Sequence, residues 1–272
     1  MGFKWPLLAR YCCFPPLWAL AAPVKSTLMR YAVLGDIHSN LSALQSVFES
    51  IRSEAVDQIL SVGDVVGYGA APSECIQMLR ENAVVAVLGN HDAAVMGELD
   101  TIFFNQHARA AVQWTREAIS GEDMAWLTCL PLTWQDDFVT LAHGSYDKPE
   151  LFAYVQTPSD ADSSLELLER PVCFIGHTHI PVSMLRLSDD PLRTGYTLDS
   201  ELDLSDAIVA IINAGSVGQP RDDDSRTGYV VYDTDTRIVT FKRLEYDIKR
   251  EVERIKDAGL PSVLAERLHL GV

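Results

Sequence analysis

Five short polar motifs, each placed directly after an apolar run, constrain this chain more than any other feature. They are Asp36-Ile37-His38, Gly63-Asp64, Gly89-Asn90-His91-Asp92, Ala142-His143-Gly144 and Gly176-His177-Thr178-His179. The runs before them are Ala32–Leu34, Ile59–Val62, Val84–Leu88, Val139–Leu141 and Cys173–Ile175. Continuous apolar runs that stop at a turn signal read as buried strands. In open α/β sheets, ligands bind beyond the carboxyl ends of the strands. A fold that aligns these strands therefore brings all five motifs to one place. Gly35, Gly63, Gly89 and Gly176 are expected to let the backbone turn sharply there.

Around these runs, strand and helix patterns alternate in the first half. Arg30–Gly35, Gln58–Val62 and Val84–Leu88 read as strands. Asn40 caps a helix to about Ser53 whose apolar face is Leu41, Leu44, Val47, Phe48 and Ile51. Pro72 opens a second helix to Glu81, and Phe104–Leu127 is largely helical. The second half is richer in strands: Phe138–Ala142, Val172–Ile175, Val182–Leu187, Ala207–Asn213, Gly228–Asp233 and Ile238–Leu244. Asp189–Asp206 is polar and reads as a loop or irregular hairpin, and helices return at Asp247–Ala258 and Ser262–Leu268. Together these predict a layered α/β domain, with mixed sheets packed together and helices outside.

A net charge of −16 argues against nucleic acid as a partner, because an acidic surface repels phosphates. Anionic substrates are repelled too, unless bound cations reverse the field locally. The five cysteines include no C-x-x-C pair, so neither a zinc knot nor a disulfide framework is indicated. Reduced thiols in the cytoplasm are the expectation. Residues 1–28 form an N-terminal extension to a domain at 29–272, and Met29 is expected to be the true start. Trp5–Val24 is apolar with Lys4 before it, which resembles a signal segment weakly. Arg10 and Pro15-Pro16 interrupt the run, so no membrane span is expected. A mature N-terminus soon after Ala21 would instead indicate export. Nothing in the sequence specifies an oligomeric state.

Taken alone, each motif is common. The ordered set resembles the calcineurin-like metallophosphoesterase superfamily: D-x-H, G-D, G-N-H-[DE], a lone H, then G-H-x-H. A further block, Asn213 to Arg221, resembles the N-P-G-S-x-G-x-P-R segment of its bacterial single-domain, phosphodiesterase-like branch. The resemblance implies a four-layer α-β-β-α sandwich, two mixed β-sheets flanked by helices, with a dimetal site at the strand ends. It implies two divalent metal ions. Asp36, His38, Asp64 and His179 would hold the first. Asp64, Asn90, His143 and His177 would hold the second, with Asp64 bridging. Mixed carboxylate, amide and imidazole donors suit Mn²⁺ first, with Fe, Zn²⁺ or Ni²⁺ as alternatives. Such a pair lowers the pKa of a bridging water toward about 7, and the hydroxide attacks phosphorus in line. The resemblance makes His91 the catalytic group that stabilises the transition state or protonates the leaving oxygen. Asp92 would be an acceptor behind the ligands. His107 and His269 fall outside every motif.

Two departures refine this expectation. Protein phosphatases of the superfamily carry G-D-x-x-D-R-G, whereas this chain has Gly67 for the second Asp and Tyr68 for the Arg. Their third block ends in Glu, and here it ends in Asp92. Monoester dianions need more positive charge than diester monoanions. The expected substrate is therefore a small phosphodiester. Arg221 is the candidate replacement clamp, the alternative being an arginine paired with Asp222–Asp224. A phosphomonoesterase or protein phosphatase, a dinucleoside polyphosphate hydrolase and a non-catalytic protein-binding scaffold are the other readings. Retention of His91 weighs against the scaffold. Substrate choice is expected to lie in the loops Met96–Phe104, Tyr146–Tyr154 and Asp189–Asp206.

Overall fold

A computed structural model describes residues 28–272, and the expectations for the N-terminal extension lie outside the described residues. The first half alternates β1 (Arg30–Leu34), α1 (Leu41–Ile51), β2 (Gln58–Ser61), α2 (Pro72–Glu81) and β3 (Val85–Ala86). Three helices follow: α3 (Asn90–Met96), α4 (Gln106–Ala118) and α5 (Gly121–Leu127). Then come β4 (Thr133–Gln135), β5 (Val139–Ala142), α6 (Pro158–Leu167) and β6 (Val172–Ile175). The chain continues through β7 (Val182–Leu187), β8 (Asp190–Thr197), β9 (Glu201–Asp203), β10 (Ala207–Asn213), β11 (Thr227–Asp233) and β12 (Ile238–Leu244). It closes with α7 (Ile248–Asp257) and α8 (Ser262–Glu266).

Two six-stranded mixed sheets result, in the orders β3-β2-β1-β11-β12-β9 and β4-β5-β6-β10-β7-β8. Alternation along each strand explains the layering. In β1, Tyr31 and Val33 point between the sheets, where they meet Val139, Leu141 and Phe174. Ala32 and Leu34 point the other way, onto Leu44, Val47 and Phe48 of α1. In β6, Val172 and Phe174 face the first sheet, while Cys173 and Ile175 pack on Ala161 and Leu165 of α6. Strands buried on both faces read as unbroken apolar runs, which is how they stand in the sequence. The expected four-layer sandwich is the observed architecture. Tyr31 ties the sheets together, its hydroxyl donating to Asp136 Oδ2 at 2.5 Å.

Register positions the site. Leu34 lies opposite Ser61, and Ser61 opposite Ala86, so β1, β2 and β3 end level with one another. In the second sheet Leu141 lies opposite Phe174, and Ile175 opposite Asn213. Every motif thus begins within three residues of the carboxyl end of its strand.

Some elements differ from expectation. The third strand shortens to Val85–Ala86, and the third motif itself opens helix α3, with Gly89 at its N-cap. The helical region after Phe104 breaks at Ser120, whose side chain accepts from the Asp123 N–H and restarts the chain as α5. The polar stretch Asp189–Asp206 does supply the irregular hairpin expected as one alternative, β8 pairing with β7 with a register shift, and it adds β9 at the edge of the other sheet. Among the described residues no helix is long and apolar enough to cross a membrane.

Candidate metal centre

The turns after the strands adopt backbone conformations that few side-chain-bearing residues tolerate. His38, Asp64, His177 and His179 all have positive φ, at 48°, 50°, 68° and 63°. Such residues cost of order 1–3 kcal/mol each and cluster at functional sites. Of the four glycines expected to supply the turns, only Gly63 has positive φ, at 97°. Gly89 serves close approach instead, since a Cβ there would run into Asp64. The ligand-type residues themselves absorb the sharp turns, and the glycines make room for them.

These turns bring two clusters together, both buried. Asp36, His38 and His179 form one, and Asp64, His143 and His177 the other, with donor atoms within 4.8 Å of one another in each. Asp64 Oδ2 lies 3.5 Å from His38 Nε2 and 3.4 Å from His143 Nε2, so one carboxylate oxygen faces both clusters. Asn90 Oδ1 is 2.9 Å from His143 Nε2, which joins the amide to the second cluster. His38 and His179 approach at 3.1 Å through their Nε2 atoms.

The backbone fixes how the rings present themselves. His38, His143 and His179 set Nδ1 against the carbonyls of Val66, Val62 and Gln219, at 3.1, 2.8 and 2.6 Å. A carbonyl can only accept, so each Nδ1 carries the proton and each Nε2 is left for a metal. His177 turns the other way, with Nδ1 3.1 Å from His143 Nε2. The His177 backbone N–H donates to both Asp36 oxygens, at 3.1 and 3.0 Å, and the His91 N–H donates to Asp64 Oδ1 at 2.8 Å.

The electrostatics suit cations. Burial pushes Asp36 up to about 7, although His143 opposes this. Burial takes His38 and His179 well below the ordinary imidazole range, and His177 down to about 3. Burial works in the same direction on His143 but is outweighed by Asp64, which holds the ring up at about 9. The site therefore combines three neutral imidazoles, and a fourth that keeps its proton beside Asp64, with buried carboxylates that favour positive charge. Metal ligation needs neutral His and ionised Asp, and the donor set has no thiolate. The two clusters fit a two-metal centre.

Beside them, His91 is 4 % exposed, and its ring packs against Tyr68 at 4.4 Å and Phe104 at 4.9 Å. Its Nδ1 is buried without a hydrogen-bond partner. Burial lowers its pKa to about 4, so the ring is neutral near pH 7. Gly67, at φ 92°, leaves space for that ring, because a Cβ there would lie 2.5 Å from His91 Nδ1. Asp92 accepts from the Val66 and Gly89 N–H groups at 3.0 and 3.1 Å, tying the second and third motifs together. His107 and His269 belong to neither cluster.

Arg221 forms no ion pair among the described residues. Asp222 is taken by Arg243, and Asp224 by Arg226 at 2.7 Å. Its guanidinium lies 5.7 Å above the Tyr68 ring, and Nη2 donates to Gln219 Oε1 at 2.8 Å and Tyr68 Oη at 3.4 Å. Its charge acts on Asp36, His38 and His91. Sequence reasoning missed several supporting residues. Tyr154 stacks on His177 at 4.0 Å and 16°. Asn213 donates to Gly176 O at 2.7 Å and to Thr178 Oγ1 at 2.9 Å. Gln219, two residues before Arg221, holds both His179 and Arg221. The block from Asn213 to Arg221 was the signal that could have found the last two.

Residues 29–237 match the calcineurin-like phosphoesterase superfamily domain, and the chain belongs to that superfamily, which supports a metal-dependent phosphoester hydrolase. A crystal structure of a metallophosphoesterase from Sphaerobacter thermophilus is 37% identical and superposes with a TM-score of 0.78, over 90% of this chain and 100% of that one. An uncharacterized protein of Methanocaldococcus jannaschii is 35% identical over 252 residues, 91% of this chain and 99% of the relative. A symmetrical bis(5'-nucleosyl)-tetraphosphatase of Thioalkalivibrio sulfidiphilus is 40% identical over 65 residues, which is 23% of this chain and 24% of that protein.

Proposed function

We propose that this protein hydrolyses small phosphodiesters at a dimetal centre held by Asp36, His38, Asp64, Asn90, His143, His177 and His179. The observation that carries this is Asp64 Oδ2, which faces both clusters from 3.4–3.5 Å. Two like-charged ions held there would need a shared anion, and Asp64 is the residue that would supply it. Divalent ions bound there supply Lewis acidity toward a phosphoryl oxygen and lower the pKa of water toward about 7. Mn²⁺ is the first choice for these donors, before Fe, Zn²⁺ and Ni²⁺.

The chain's own residues do the remaining work. The carbonyls of Val62, Val66 and Gln219 orient the rings that hold the metals. His91, kept neutral by burial, offers an imidazole N–H to the leaving oxygen. Asp92 holds the turn that carries His91 in place. Arg221, tethered by Gln219 and Tyr68, contacts a phosphoryl oxygen of the substrate. One arginine beside the metals suits a diester monoanion better than a monoester dianion. Dinucleoside polyphosphate hydrolysis is a second reading, supported by the short match to a tetraphosphatase. Cys75 and Cys173 are buried free thiols, and a cytoplasmic setting is part of this proposal.

Protein reloaded with Mn²⁺ is expected to cleave bis-p-nitrophenyl phosphate. The substitution His91→Ala should lower turnover by about 10²–10⁴-fold while metal content is unchanged. Absence of turnover with Mn²⁺, Fe²⁺, Zn²⁺ and Ni²⁺ alike would sink the proposal.

A further inference from the structure

A pocket of about 260 Å³ opens beside Asn90, His91 and His177. Its far side has no part in holding metals or moving protons. That side comes from two separate segments, Leu99–Asn105 and Leu151–Tyr154, which the fold brings together over the centre. Phe103 is 95% exposed there, Leu151 64% and Tyr154 53%. Single exposed apolar residues are ordinary. Several gathered round one cavity, next to a polar centre, mark a ligand surface. Tyr154 is already held flat, stacked on the His177 ring at 4.0 Å.

The pocket also has polar edges. Asp100 uses Oδ1 to accept the Ile102 N–H, and Asn105 uses Oδ1 to accept the His107 and Ala108 N–H groups. Asp100 Oδ2 and Asn105 Nδ2 make no hydrogen bond among the described residues, leaving one acceptor and one donor at the pocket. The Asp100 carboxylate also fixes polarity. It repels a phosphoryl group, which must therefore lie at the opposite end, with Asn90, His91 and His177.

We propose that this pocket binds the nucleobase of a nucleotide ester, stacked on Phe103 and Tyr154 with its polar edge toward Asp100 and Asn105. This rests on the phosphoesterase reading of the site and names its substrate class as phosphoesters of nucleosides. A base has what the pocket asks for: a planar π-face, no charge, and donors and acceptors confined to its rim. An alkyl chain would desolvate Asp100 and Asn105 without pairing them. Stacking tolerates any base, so the pocket selects for a base without strongly selecting which one.

Calorimetric titration of the Mn²⁺-loaded protein with AMP and with ribose 5-phosphate isolates the base, because the two share sugar and phosphate. AMP should bind about tenfold tighter or better, the scale of one stacked base. Phe103→Ala should bring the two affinities to within about threefold, and Phe103→Trp should restore the gap. Phe103 is almost wholly in solvent, so neither change threatens the fold. Leu192→Ala, equally exposed but on β8 away from the pocket, should leave the gap as in the wild type. Equal affinities, no measurable binding of either ligand, or a full gap in Phe103→Ala would overturn the proposal. Diester turnover with equal affinities sinks the base pocket alone. Preferential AMP binding without turnover by any metal-loaded form sinks the phosphoesterase reading alone.

Discussion

Asp64 sits at φ 50°, gives one oxygen to the His91 N–H and turns the other toward two histidines from different clusters. Its type was legible from Gly63-Asp64 alone. What the sequence did not disclose is the strain. Left-handed backbone at His38, Asp64, His177 and His179 is invisible to propensity, because such conformations are rare outside Gly and are imposed by the surrounding contacts. The carbonyls of Val62, Val66 and Gln219 were equally hidden, since a backbone acceptor leaves no mark in residue type. Gly67 is a sharper case. In the sequence it stands where protein phosphatases of the superfamily carry an Asp, and in the structure it leaves space for His91. Gly67→Ala is therefore expected to displace the His91 ring and to lower turnover at least tenfold, with metal content retained. At φ 92° it should also lower stability by more than about 1 kcal/mol. Elemental analysis, diester turnover and thermal melting check the three parts.

Strands were the most legible elements, because β1 and β6 are covered on both faces and so read as unbroken apolar runs. Short or late elements were less so. β4 has only three residues, and its partly exposed Thr133-Trp134-Gln135 makes no pattern. Helix α6 carries a legible start in Thr157-Pro158 with Asp160 closing a capping box, but its thin apolar stripe hid its length. The end of β10 shows how an element serves the site. Asn213 donates to Gly176 O and Thr178 Oγ1, and accepts from the Gly215 N–H at 2.9 Å. Asn213→Ala leaves these buried groups unpaired, at about 1–3 kcal/mol for each one that finds no substitute. A melting temperature lower by about 5–10 °C is expected in a domain of this size, together with weaker metal binding through the Gly176–His179 turn. An unchanged melting curve would show that the network is dispensable. Helix α7 supplies a pH-dependent contact of its own. Glu251 is fully buried, accepts from the Ser42 N–H at 3.2 Å and pairs with Arg254. Burial raises its carboxyl above the ordinary value of 4.5 despite Arg254. The folded state therefore binds this proton more tightly than the unfolded chain. Stability from Glu251 is present below about pH 4.5 and is lost as pH rises through the folded value. Glu251→Gln should flatten that slope, so urea melts at pH 4.5 and pH 7 should show the variant gaining on the wild type at the higher pH.

Across the whole molecule, a net charge of −16 coexists with a site built to receive an anionic substrate. The proposed cations at the clusters would reconcile the two, with Arg221 beside them and free of any carboxylate partner among the described residues. The layered fold and the convergence of five strand ends were legible because the motifs follow the strands. The order of strands within each sheet was not, since pairing between distant strands such as β1 with β11 leaves no local signal. Metal binding should act on the fold as a whole, because Asp36 and Asp64 are buried carboxylates awaiting positive charge. Mn²⁺ at 100 times its dissociation constant should stabilise the protein by about 2.7 kcal/mol per site, seen as a rise in melting temperature that a chelator reverses. The most direct measurement is metal stoichiometry by calorimetric titration of Mn²⁺ into metal-free protein, wild type against Asp64→Asn, which keeps an acceptor for the His91 N–H. Two ions per chain in the wild type and at most one in the variant are predicted. A single ion in the wild type, or two ions bound with undiminished affinity by Asp64→Asn, would contradict the Asp64-bridged centre.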